Sequence, residues 1–226
     1  MSQKNNRIDH FSLIELLVVL AVFAVLLSLL QYSLNSIMER GRFTICNKNL
    51  HEQGLALTEF LEDYNEFPYS QRWVEGHYYF DLKDSLHKGK TAPYLKNEDS
   101  YICPTYRIVN DVTPGRLPVK SFSYSMNSNI DDLKYPYKIS YPSLMGMIAE
   151  ENPFKIGNSY GNPHSDFKLV LGAGKSIGFF VDGLGTFHLT LDNNYYLGVS
   201  NVLYVDGHTE KGRLEDAYSI MTASPK

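Results

Sequence analysis

The residues with chemical potential are a lone carboxylate in an apolar run, two cysteines, and scattered histidines and aspartates. Glu15 is the most informative. Residues 11–30 read FSLIELLVVLAVFAVLLSLL, and only Ser12, Glu15 and Ser28 break their apolar character. A charge inside a lipid-soluble helix costs roughly 2.5–3.5 kcal/mol on insertion scales, so such a residue marks function. Other chemistry is poorly supported. GAGKS at 172–176 has the end of a phosphate-binding loop, but Leu169 stands where the full motif needs Gly, and a strand is expected to follow. No Cys-x-x-Cys or His-Glu-x-x-His spacing suggests zinc, and no Gly-x-Ser-x-Gly elbow suggests a serine hydrolase. His164, His188 and His208 could meet acidic groups in space, but are read first as satisfied surface histidines. Asp182, Asp192 and Asp206 could supply oxygens to calcium, but without a recognisable ligand spacing. No other cofactor or metal is expected. The net charge of −4 disfavours nucleic acid, and Lys83, His87, Lys88 and Lys90 read as a solvated loop.

The element that must carry Glu15 is a helix. Twenty helical residues cover about 30 Å, the hydrocarbon thickness of a bilayer. Lys4 and Arg7 precede the run, which predicts a cytoplasmic N-terminus and a single pass with the remainder outside. A cleaved signal peptide would end its apolar run in a small-residue site, whereas this run continues as LLQYSLNSIMERGRF. A plain signal anchor explains the length and gives no reason for Glu15.

Phe11-Ser12-Leu13-Ile14-Glu15-Leu16-Leu17-Val18-Val19 resembles the N-terminal methylation motif of the type IV pilin and pseudopilin superfamily, found in type IV pili and type II secretion. The resemblance implies cleavage by a prepilin peptidase between His10 and Phe11, then methylation of Phe11. It also implies that Glu15 pairs with the Phe11 amine of a neighbouring subunit. A buried carboxylate needs such a cationic partner. The family usually has Gly where this chain has His10.

No proline occurs before Pro68. Phe43, Cys46, Leu50, Leu57, Leu61 and Tyr64 recur at helical spacing, opposite Lys48, Glu52, Glu59, Glu62 and Asp63. Gly41 and Gly54 would weaken this helix, or permit a bend or close packing. Asn65 and Pro68 should end it. The expected organisation is a leader at 1–10, a membrane-spanning half-helix at 11–33, an amphipathic half-helix at 34–66 and a β-rich extracytoplasmic head at 67–226. The stretch from Cys46 through Asn49-Leu50, Gly54-Leu55-Ala56-Leu57, Asp63, Asn65 and Phe67-Pro68 resembles a large bacterial group of pilin-like proteins.

In the head, SFSYSM, LMGMIA, KLVLG, SIGFFV, TFHLTL and NVLYV read as antiparallel strands. Asp182-Gly183 and Asp206-Gly207 suit tight turns. Residues 213–221 are the best helical candidate. The same group carries a His, nine residues, then Asp-Gly; here Gly198, Asn201, Val202, Leu203, Asp206, Gly207 and His208 fit, and Tyr196 replaces the His. Tyr101–Pro104 and Tyr124–Asn127 resemble further landmarks, and 151–195 reads as an insertion. If the head is extracytoplasmic, oxidising conditions favour a Cys46–Cys103 disulfide worth about 4 kcal/mol, the alternative being two unpaired buried thiols. The seventeen tyrosines, with Tyr78-Tyr79 and Tyr195-Tyr196 adjacent, would mostly fill strand faces, or else contact polysaccharide or neighbouring subunits.

The fold expected is therefore α+β and pilin-like, with a long N-terminal helix packed on an antiparallel sheet. The function expected is non-enzymatic: a filament or pseudopilus subunit whose partners are the peptidase, other subunits and membrane lipid. The runner-up is a tethered surface protein whose head binds a glycan or other ligand. An anchored hydrolase is least supported.

Overall fold

The computed structural model describes residues 12–70, 72–74, 89–95, 97–111, 122–151, 168–169, 184–190 and 197–223; for Tyr32, Asn110, Asp111, Asp132, Lys168 and Leu169 it describes the backbone alone. The chain divides into two units, residues 1–39 and 40–226. Helix α1, Leu13–Tyr64, begins in the first and ends in the second without interruption.

In the first unit, α1 starts at a capping box. The Ser12 hydroxyl accepts from the Ile14 N–H (3.3 Å), and the Glu15 carboxylate accepts from the Ser12 N–H (2.9 Å). Two of the amides that a helix start leaves unpaired are thereby satisfied. Every described side chain from Ser12 to Met38 is exposed. Ser28, the one polar residue of the run between Glu15 and Leu30, donates to the Val25 carbonyl (2.7 Å), so its hydroxyl needs no water. This is the one helix among the described residues long and apolar enough to cross a membrane.

In the second unit, α1 turns one face inward. Cys46, Asn49, Leu50, Gln53, Gly54, Ala56, Leu57 and Phe60 are buried, at spacings of three and four. The expected stripe differs at its end. Phe60 occupies the inward position, while Tyr64 is exposed and stacks on Phe60 with ring centroids 4.5 Å apart. Tyr64 is the last helical residue: Asn65 takes φ 53° and its N–H bonds the Leu61 carbonyl (2.8 Å), the left-handed exit that asparagine tolerates.

Below α1 lies a five-stranded sheet in the order β3-β1-β2-β4-β5. The strands are β1 Tyr124–Asn127, β2 Gly146–Glu150, β3 Lys168–Leu169, β4 Ser200–Tyr204 and β5 Thr209–Gly212. Four strands are antiparallel neighbours, but β3 pairs with β1 in parallel, which corrects the expectation of a wholly antiparallel sheet. Short helices α2 Pro104–Asp111, α3 Asn129–Leu133 and α4 Ala217–Thr222 complete the unit.

Alternation along β4 divides the core. Leu203 joins Leu50, Leu57, Tyr124, Met126 and Ile148 in a cluster that includes α1. Val202 and Tyr204 join Ala149, Ala217, Ile220 and Met221 of the cluster that includes α4. At Gly54 an added Cβ would sit 3.1 Å from Leu203 Cδ2, so the missing side chain lets α1 lie close on β4.

One expectation fails around residue 188. Residues 186–189 make no ladder; they hold one isolated bridge, His188 with Val199, and a second, Glu151 with Leu184, lies just before them. Leu189 at φ 50° ends the extended run. Leu184, Phe187 and His188 are buried in the head. Outside the described residues fall SIGFFV, expected to be a strand, residues 172–176, Asp182-Gly183 and the tyrosine pairs at 78–79 and 195–196.

Candidate functional site

Two places concentrate polar chemistry. The first is the start of α1, where Glu15 closes the capping box. Its spacing to Ser12 is itself a capping signature that the sequence reading passed over in favour of an intersubunit role. His10 and Phe11 lie outside the described residues.

The second is buried in the head, and reading by motif spacing missed it. Glu150 ends β2, and His188 lies in the segment before β4; both side chains are wholly buried. His188 Nε2 stands 2.8 Å from Glu150 Oε1 and 3.2 Å from Cys103 Sγ. With the carboxylate the stronger acceptor, the Nε2 hydrogen goes to Oε1. Glu150 Oε2 accepts from the Asn201 backbone N–H (2.8 Å), and the Ser200 hydroxyl lies 3.5 Å away. A buried carboxylate is strongly disfavoured unless it is paired and hydrogen-bonded, and this one has both kinds of partner. Rings enclose the imidazole: Phe43 meets it edge-on at 5.2 Å and Phe187 at 4.9 Å. His188 is thus a core residue, contrary to the expectation of a surface histidine.

Cys46 and Cys103 are joined by a disulfide, with Cα atoms 5.1 Å apart and a sequence separation of 57. Cys46 is on the inward face of α1. Cys103 precedes α2, and its N–H donates to the Ser123 hydroxyl (2.7 Å). The helix grips the same segment again through Asn49 Nδ2 to the Ile102 carbonyl (3.1 Å) and Gln53 Nε2 to the Ser100 carbonyl (2.6 Å). The Ser100 hydroxyl bonds Glu52 and is the main cause holding that carboxyl below its usual range. Above the disulfide, the Tyr124 hydroxyl donates to the Cys46 carbonyl (3.3 Å). Burial, and then the Glu150 charge, push its pKa well above the ordinary tyrosine value, so it stays a donor.

The C-terminal motif residues split between two places. An added Cβ at Gly198 would lie 2.0 Å from the Thr186 carbonyl oxygen and 2.5 Å from that of His188. Only glycine lets the two backbones approach this closely, and the resulting His188–Val199 bridge sets the imidazole in position. Asn201 acts through its backbone amide; among the described residues its buried side-chain amide has no partner. Asp206, Gly207 and His208 instead form the β4–β5 turn. Gly207 N–H bonds the Tyr204 carbonyl (2.9 Å) and Gly207 takes φ 91°. Asp206 is not in the left-handed region, so this is a longer turn closed by a positive-φ glycine rather than a two-residue type I′ turn. The His208 ring stacks on Tyr204 at 4.4 Å and bonds Asp206. Burial raises the Tyr204 pKa to about 12. At Asp206 burial opposes ionisation, but the His208 side chain and N–H outweigh it and keep its carboxyl below the usual range.

Landmark residues 124–127 also have local duties. The Ser125 hydroxyl bonds Glu151, and Asn127 Nδ2 donates to the Gly146 and Met221 carbonyls (2.7 and 2.8 Å), holding α4 to the sheet. Of the other candidates, His164, Asp182, Asp192 and Tyr196 lie outside the described residues.

The chain matches no family model, no curated protein and no solved structure.

Proposed function

We propose that the chain is a pilin-like structural subunit, anchored in the cytoplasmic membrane by residues 11–33 and assembled into a pilus or pseudopilus filament after removal of residues 1–10. The observation that carries this reading is the run Phe11–Val19 with its single acid: a helix exposed at every described side chain from Leu13 to Met38 and, from 13 to 30, apolar except for Glu15 near its start and Ser28. Such a surface needs lipid or other helices around it. Lys4 and Arg7 support an N-in orientation, and the disulfide supports an oxidising compartment for the head. Partners on this reading are a prepilin peptidase and further subunits, through a Glu15–amine pair with a neighbour's Phe11.

The capping box sharpens the test. Glu15→Ala removes both the charge and the side-chain acceptor that closes the capping box on the Ser12 N–H. Glu15→Gln keeps a capping acceptor and removes only the charge. In cells with a prepilin peptidase, both variants should be cleaved to begin at residue 11 and neither should enter filaments. If Glu15→Gln assembles like the parent chain, the charge-pairing reading fails. A mature protein retaining Met1 would defeat the processing reading as well.

One observation favours the ligand-binding alternative. Tyr135 and Tyr137 stack at 5.4 Å beside Lys134 and Lys138, and the Tyr137 ring is exposed. Stacked, exposed aromatic rings suit a sugar face. On that reading Glu15→Gln leaves glycan binding intact and Tyr137→Ala removes it.

A further inference from the structure

We infer that Cys46, Cys103, Glu150 and His188 form a closed binding site for a borderline-soft divalent cation of the zinc class, available when the Cys46–Cys103 disulfide is reduced. One ligand atom from each residue lies within 4.8 Å of all the others, and all four residues are buried. Two thiolates, an imidazole and a carboxylate are donors that zinc accepts in four-coordinate sites. Hard cations such as calcium prefer oxygen alone, which this set does not offer. With four protein donors no coordination position stays open for substrate, so the site is structural.

The surrounding bonds support the donors independently of the sulfur–sulfur link. The Asn201 N–H holds Glu150 Oε2, leaving Oε1 toward the cluster, as an outer-shell partner orients a ligating carboxylate. Gly198 and the His188–Val199 bridge fix the imidazole from behind. Ser123 holds the Cys103 backbone, while Asn49 and Gln53 tie α1 to the same segment. With metal–sulfur bonds of about 2.3 Å, a tetrahedral site needs its sulfurs about 3.7 Å apart. Side-chain rotation from Cα atoms 5.1 Å apart can reach that spread.

The chemistry balances with a dithiol reductant. Its two thiols become one disulfide as the Cys46–Cys103 bond breaks, leaving two cysteine thiols. The cation then forms two sulfur bonds and releases two protons to solvent. His188 stays neutral but changes tautomer, losing its Nε2 proton to solvent and gaining one at Nδ1, so that the Nε2 lone pair is free to donate; the Glu150 carboxylate, released from that hydrogen bond, donates through Oε1. Exchange with a small-molecule disulfide, which is reduced to its dithiol, reverses both steps and expels the cation. Disulfide and metal are therefore alternative occupants of one core, and the inference is independent of whether the chain polymerises.

The test uses the full chain in detergent, reduced by a water-soluble phosphine that ends as its oxide, and titrated with cobalt(II) as a spectroscopic probe. The expected result is thiolate-to-cobalt charge-transfer absorption saturating at one equivalent, displaced by zinc, and absent from the oxidised chain. His188→Asn and Glu150→Gln should each weaken binding by more than the roughly 10–100-fold typical of losing an outer-shell partner. No absorption in the reduced chain overturns the inference. So does equal binding by the parent and both variants, which is also what a head unfolded by reduction would give, because thiolates would then act alone.

Discussion

Residues 13–39 and 40–64 of α1 continue the same helix under opposite rules. The first stretch has no inward face: its described side chains are exposed as far as Met38, and Ser28 and Glu15 find local partners in Val25 and Ser12. The second stretch has a buried face of Cys46, Leu50, Ala56, Leu57 and Phe60 and a solvated one of Lys48, Glu59 and Glu62. An apolar residue in the first stretch therefore speaks to its solvent, and one in the second speaks to the fold. The same substitution should have different consequences in each.

The largest contrast comes from leucine. Leu50→Ala should destabilise the head by about 2–5 kcal/mol, because it leaves a cavity between α1 and the sheet. Leu26→Ala should leave the head's thermal melting unchanged; a comparable drop from both would erase the distinction. Replacing Cys46 and Cys103 together by Ser should cost about 2–5 kcal/mol, read as a lower denaturant midpoint for the head without altered membrane partitioning. A cation in the first stretch reverses the readout. Val22→Arg should impair insertion by roughly 2.5–3.5 kcal/mol in a membrane-integration assay, while Glu59→Arg should have no effect there.

The smallest effect is acid dependence. The folded-state pKa values of Asp206 and Glu52 are depressed, so their stabilising contribution is present above the unfolded values and lost as pH falls through the folded ones. Head melting should therefore weaken below the ordinary carboxylate values of 3.8 and 4.5. Asp206→Asn should flatten part of that slope, and an unchanged slope in that variant would remove Asp206 from the account.

Residues governed by local rules were legible in the sequence. The apolar run, the inward face of α1, the Asn65 exit, the strands at 124–127, 146–150 and 200–204, and the C-terminal helix all follow from periodicity or turn chemistry. The disulfide followed only as one of two alternatives for the cysteines. What resisted reading depends on contacts distant along the chain. Glu150 and His188 are 38 residues apart and each looks solvent-bound by type. Their burial depends on Gly198, whose near-contact with residues 186–188 has no periodic signature. The parallel β1–β3 pairing is likewise a matter of topology rather than of strand composition. The capping box was legible and overlooked, because an acid in an apolar helix suggested a distant partner before a local one.

The Cys46–Cys103 bond also has a mechanical consequence. Tension applied between the two chain ends cannot reach the backbone it encloses, because the load crosses directly from one sulfur to the other. The span of 57 residues, at about 3.3–3.6 Å each, withdraws close to 200 Å of contour from extension. That ring contains the whole stretch of α1 from Asn47 to Tyr64, so pulling could unravel the strands and still leave the helix's lower turns looped.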